Sequence, residues 1–149
     1  MKKFEYPLES VLKLRRFAEA EARQALAEAL AARNEAEQAL SLTRLRIQRR
    51  MERLTTELAT LPAVEIAAAW EELDRLEETA LKQTHHLADC EHQVALRTEA
   101  YIAAQQERKP LERLRDEMRR AHDKMADLAE QAAHDELAVI GHQRKGGVA

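Results

Sequence analysis

No glycine occurs before Gly141, and all three glycines of the 149-residue chain fall in its final nine positions. Glycine and proline are the strongest punctuation in a sequence. From Met1 to Ile140 only Pro7, Pro62 and Pro110 interrupt helix propensity. Strands joined by tight turns, and Gly-rich loops that cradle phosphates, need glycines that this stretch lacks. The chain is therefore restricted to long helices. Its 3% aromatic content cannot fill a thick core, and alanine, leucine, glutamate, arginine and glutamine dominate. Such a mixture with helical periodicity reads as a coiled coil, stabilised along a narrow seam.

The periodicity has two parts. Leu40, Ile47, Leu54 and Leu61 mark one stripe at seven-residue spacing, and Ala22, Ala25, Ala29, Ala32 and Ala36 mark its thinner half. Ile66, Leu73, Ala80, Leu87, Val94 and Tyr101 form a second stripe, shadowed three residues later by Ala69, Leu76, Gln83, Cys90, Arg97 and Ala104. This is a heptad pattern with its a and d positions mostly apolar. After Pro110 the seam is expected to continue through Leu111, Leu114, Met118, Ala121, Met125, Leu128 and Ala132. The four, three, three, four spacing at that join reads as a stammer, and proline there predicts a kink.

Pro7 and Ser10 predict the start of the first helix, with Ser10 as its cap. Thr60-Leu61-Pro62-Ala63 is the best internal break, with Pro62 suited to the first turn of a new helix. The expected organisation is a single coiled-coil domain over 1–149: helix 1 at about 8–59, a turn at about 60–64, helix 2 at about 64–140 and a flexible tail at 141–149. Arg44, Arg46, Arg49, Arg50 and Arg53 precede the break, and Glu71, Glu72, Asp74, Glu77 and Glu78 follow it. Folding back at the break would set these clusters face to face. The fold class is thus all-α, an antiparallel coiled-coil hairpin whose second helix is the longer. Its end, from about Met118, should overhang its partner while keeping an apolar stripe of Met118, Met125, Leu128 and Val139.

A net charge of -3 gives no global attraction to nucleic acid or anionic lipid. No run approaches the roughly 20 apolar residues of a membrane span. Charges at Lys2, Lys3 and Glu5 sit where a signal peptide needs apolar residues, and the lone Cys90 has no internal disulfide partner, so a cytoplasmic location is expected. His85, Asp89 and His92 share one helical face, and His86 and Cys90 are four apart, spacings that could ligate zinc. The plainer reading makes these solvated face positions with Cys90 a small seam residue. No metal, cofactor or catalytic residue is assigned, and no enzyme motif is present. Phe17 and Trp70 are read either as seam filler or as partner anchors.

The run Phe4-Glu5-Tyr6-Pro7-Leu8-Glu9-Ser10-Val11-Leu12-Lys13-Leu14-Arg15 resembles the opening of the flagellar export protein FliJ family. Lys109-Pro110-Leu111-Glu112-Arg113-Leu114 is similar to the family's Lys-x-Leu-Glu-x-Leu element, and Asp135-Glu136-Leu137-Ala138 resembles its closing motif. Pro110 departs from the family pattern. The resemblance implies a non-enzymatic component of the flagellar type III export apparatus, similar to the central stalk of rotary ATPases. It implies coupling between the hexameric export ATPase FliI and the export-gate protein FlhA, service to export chaperones and their substrates, and peripheral association with the cytoplasmic face of the inner membrane. By the resemblance, Phe4, Leu8, Val11, Leu12, Arg15, Met125, Leu128 and Leu137 would meet the ATPase. Gln38, Leu42, Leu45, Arg49, Leu73 and Leu76 would meet the gate. The alternative is a structural or scaffolding coiled coil, possible as a homodimer, with no ATPase partner.

Overall fold

A computed structural model describes residues 2–147. Helix α1 spans Glu9–Glu57 and helix α2 spans Ala63–Gly146. The chain divides into two compact units, Glu19–Ala103 and a second made of Met1–Ala18 with Ala104–Ala149. In each, a stretch of α1 packs antiparallel to a stretch of α2, as expected for a helical hairpin.

The Glu19–Ala103 unit contains the turn. The Glu57 carbonyl accepts the backbone N–H groups of Thr60 (2.9 Å) and Leu61 (3.1 Å), which closes α1. The Pro62 carbonyl then accepts the Ile66 N–H at 3.1 Å, so Pro62 stands just outside α2 and supplies its first acceptor. Glu65 in the first turn complements the positive end of the helix dipole. Leu54, Ala69 and Leu73 form a buried cluster against Ile47 and Leu61. From there the expected α1 positions Leu40 and Ile47 hold, and the row continues through Arg33 and Leu26, whereas Ala32, expected in the seam, is exposed. Ala22, Ala29, Ala36 and Thr43 form the companion row. The α2 seam follows the expected series from Ile66 to Val94.

It then departs. Arg97 is exposed and Thr98 takes the inward place, its hydroxyl donating to the Val94 carbonyl at 2.7 Å. A long guanidinium side chain reaches water at little cost, whereas a threonine whose hydroxyl is satisfied locally can face a neighbour. Two successive intervals of four result, a stutter that locally unwinds the supercoil. This irregularity at 94–98 is additional to the expected one near Pro110, where the half-buried positions 112, 115 and 118 follow at two successive intervals of three. Helix α2 is unbroken through Pro110.

In the second unit, the N-terminal segment lies along α2. The Tyr6 hydroxyl donates to the Leu111 carbonyl at 2.8 Å, and the Phe4 and His122 rings stack obliquely at 5.6 Å. The Lys2 carbonyl lies 3.0 Å from His122 Nε2. Backbone bonds from Glu9 to Tyr6 and from Leu12 to Leu8 begin α1 before Ser10, which is therefore inside the helix and not its cap. Leu12 is completely buried. Opposite it, only Leu111 and Met118 of the expected apolar series are half-buried. Arg108, Glu112, Arg115, Met118, His122 and Ala126 are half-buried, whereas Leu114, Ala121, Met125, Leu128 and Ala132 are exposed. Ion pairs Arg15–Glu107 (2.6 Å), Arg16–Glu112 (2.7 Å) and Glu9–Arg115 (3.3 Å) cross between the helices and fix this rotation. Arg108 adds a contact to Glu112 within α2. Beyond Ala126 every described residue is exposed, and α2 continues past Ile140 to Gly146 where a flexible tail was expected. Val148 and Ala149 lie outside the described residues.

Candidate interaction surfaces

The residues implied for ATPase contact all fall in the unit that carries both chain ends. They are not equivalent. Met125, Leu128 and Leu137 are 66%, 52% and 65% exposed, on a stretch of α2 that meets nothing else in its unit beyond Ala126. Leu8 and Val11 are partly exposed on α1 and its approach. Phe4 is half-buried against His122, and Arg15 is engaged by Glu107. Leu12 is sealed between the helices and has no surface to offer. Leu14, Phe17, Val139 and Ile140 are further exposed apolar residues of this unit. Leu14 and Phe17 are three apart and lie off the 12, 19, 26 row that faces inward, a spacing from which their exposure can be read. Phe17 is thus not seam filler, and neither is the half-exposed Trp70 of the other unit.

Glu112 has its carboxyl pKa lowered, chiefly by the hydrogen bond donated by Arg16. Partial burial opposes the shift, and the nearby charges of Arg108 and Arg16 reinforce it.

The residues implied for gate contact fall in the Glu19–Ala103 unit. Gln38, Leu42, Leu45 and Arg49 are exposed on α1. Leu73 is buried in the cluster beside the turn, so its role is packing. Leu76 is half-buried and lines an open cleft of about 430 Å³ with Arg46, Arg49, Arg50, Arg53 and Glu72. The charge clusters expected to stand face to face meet at a single point. Arg50–Glu72, at 3.0 Å, is the one ion pair between those clusters among the described residues. Arg53 pairs with Glu57 along α1 and Glu78 with Lys82 along α2. Glu71, Asp74 and Glu77 are exposed, at heptad positions that the fold turns outward or to the flank.

A second open cleft, of about 460 Å³, lies where alanines Ala25, Ala29 and Ala32 thin α1 opposite His86, Cys90 and Arg97. Cys90 is buried, with Sγ 3.7 Å from His86 Nε2, while His85, His86, Asp89 and His92 are exposed. No group of three His, Cys, Asp or Glu among the described residues is placed to hold a metal ion. No described helix is long and apolar enough to cross a membrane.

Residues 4–147 match the family model described as "Flagellar FliJ protein". Neither the curated proteins nor the solved structures contain a match.

Proposed function

The chain belongs to the flagellar FliJ protein family, a component of the flagellar export apparatus, and from that membership we propose that it is the stalk-like coupling factor between the export ATPase and the export gate. It acts without catalysis, and at the cytoplasmic face of the flagellar base. The observation that carries this reading is the α2 overhang. A helix segment without tertiary packing is marginal in water. This one keeps Met125, Leu128, Leu137 and Val139 exposed over many turns. An apolar stripe of this kind gains from a partner that covers it. The central channel of a hexameric ATPase is such a partner, and Leu8 and Val11 extend the apolar surface in the same unit. Gln38, Leu42, Leu45, Arg49 and Leu76 would contact the gate. Escort of export chaperones belongs to the same role.

Deleting residues 127–149 tests the reading, since the cut lies just past the last half-buried residue of α2. The truncated protein should melt like the full chain and should lose most of its binding to, and stimulation of, the purified ATPase. Amide exchange beyond Ala126 should be fast in the free chain and slowed in the complex. Full stimulation by the truncated chain would refute the coupling role and leave a scaffolding coiled coil.

A further inference from the structure

We infer that the arginine face of α1 beside the turn is a docking site for an acidic peptide segment of a partner protein. Arg46, Arg49 and Arg53 are spaced three and four apart and lie along one side of the helix. Among the described residues Arg46 and Arg49 make no ion pair, and Arg53 is held only by Glu57 of its own helix. Unpaired guanidinium groups at this density repel one another, and a helix gains nothing from keeping them adjacent without an anion. They are not spread on a flat surface. Together with Arg50 they wall the cleft of about 430 Å³, and Leu76 supplies its apolar lining. Glu72 is already committed to Arg50. Guanidinium groups take carboxylates in a bidentate fork, so a strand or helix bearing carboxylates with an intervening apolar side chain matches both features. Exposed Leu42 lies on the same row as Arg49, seven residues away, and prolongs the apolar component.

The alternative anion is a membrane of acidic lipids, and the surroundings disfavour it. Glu65, Glu71, Glu72, Glu77 and Glu78 of α2 are all exposed in the same unit. Glu72 lines the arginine cleft itself and Glu65 shares an adjoining cleft with Arg50 and Arg53, so a planar anionic surface laid on the arginines would meet both within a screening length of about 8–10 Å. A narrow segment lying along the arginine row would not. The inference rests on the proposal that this unit faces a partner, but it concerns the chemistry of recognition and is measured without the export gate.

The test uses the purified full-length chain and a fluorescein-labelled synthetic peptide of glutamates with interspersed leucines. A variant carrying Arg46→Gln, Arg49→Gln and Arg53→Gln is compared with one carrying Arg44→Gln, Arg75→Gln and Lys82→Gln, which makes the same change in net charge elsewhere in the unit. Circular dichroism melting confirms that both fold. The first variant should bind the peptide about tenfold more weakly, the product of three exposed contacts worth a factor of about two each. The second should bind like the parent, and a glutamine-for-glutamate peptide should not bind the parent. Equal losses in the two variants would reduce the effect to net charge and overturn the inference. So would an unchanged affinity in the first variant, or sedimentation of the chain with phosphatidylserine vesicles that the peptide fails to displace. An intact peptide site in a chain that does not bind the gate would refute only the gate assignment.

Discussion

Leu73→Ala removes the most deeply buried large side chain of the cluster beside the turn. Leu73 is 2% exposed and packs with Leu54 and Ala69, backed by Ile47 and Leu61. Truncating a buried leucine costs about 2–5 kcal/mol, and the value rises with the volume left empty. A seam two helices thick can relax toward its open sides, so a value near the lower middle, about 3 kcal/mol, applies. Unfolding entropy of about 2.1 cal/mol/K per residue gives about 0.3 kcal/mol/K for the whole chain, and the Tm should therefore fall by about 10 °C. Two companion substitutions calibrate the measurement. Leu76→Ala, at a half-buried site, should cost about 1–2 kcal/mol. Leu128→Ala, at a side chain that is half exposed, should leave the Tm within about 2 °C. Thermal and urea melts followed by circular dichroism provide the readout. A Leu73→Ala protein that melts with the parent, or a Leu128→Ala protein that loses as much stability, would refute the assignment of the seam.

Glu112→Gln should lower stability at neutral pH, and the deficit should close in acid. The folded-state pKa of Glu112 is depressed, so its contribution is present above the unfolded carboxyl pKa of about 4.3 and is lost as pH falls through the lower folded value. Melts of parent and variant compared from pH 7 downward should converge below about pH 4. A gap that persists unchanged would show that the Arg16 contact carries no charge component. Tyr6→Phe deletes the hydroxyl that donates to the Leu111 carbonyl and should cost about 0.5–1.5 kcal/mol, with faster amide exchange in the N-terminal segment. Spin labels at residues 44 and 77 should lie about 15–20 Å apart across an antiparallel pair. One continuous helix would separate them by about 50 Å.

Most of the hairpin could be read from residue spacing alone. Leu40, Ile47 and Leu54 face inward, as their seven-residue spacing predicts. The same holds for Ile66 to Val94 on α2. The reading failed where two rows lay side by side. Past Pro110, a row of Leu114, Ala121 and Met125 runs beside a row of Glu112, Arg115 and His122, and helical spacing does not say which row meets the partner. Arg16 and Glu9 decide it by pairing with Glu112 and Arg115. Those partners are about a hundred residues away in sequence, beyond the reach of any local pattern. The arginine and glutamate clusters misled for a related reason. Their opposition along the chain was correct, but Glu71 and Glu78 occupy outward heptad positions and so do not reach across. Among the implied contact residues, exposure separates Leu128 from Leu12 and Leu42 from Leu73. No periodicity distinguishes a side chain that seals the pair from one that serves a visitor until the partner helix is in place.

The position of the buried cluster has a kinetic consequence. Leu54 and Ala69 lie about fifteen residues apart in the chain, whereas the Tyr6–Leu111 bond spans 105 residues. Each doubling of a loop adds about 0.6 kcal/mol of closure entropy, so forming the distant contact first would cost about 2 kcal/mol more. It would return only a hydrogen bond and exposed ion pairs. Folding should therefore start at the turn and zip outward, each heptad shortening the loop the next must close. The contacts of Lys2 and Phe4 with His122 require the longest loop of all. The unit formed by Met1–Ala18 and Ala104–Ala149 is therefore the last to close and, on unfolding, the first to open.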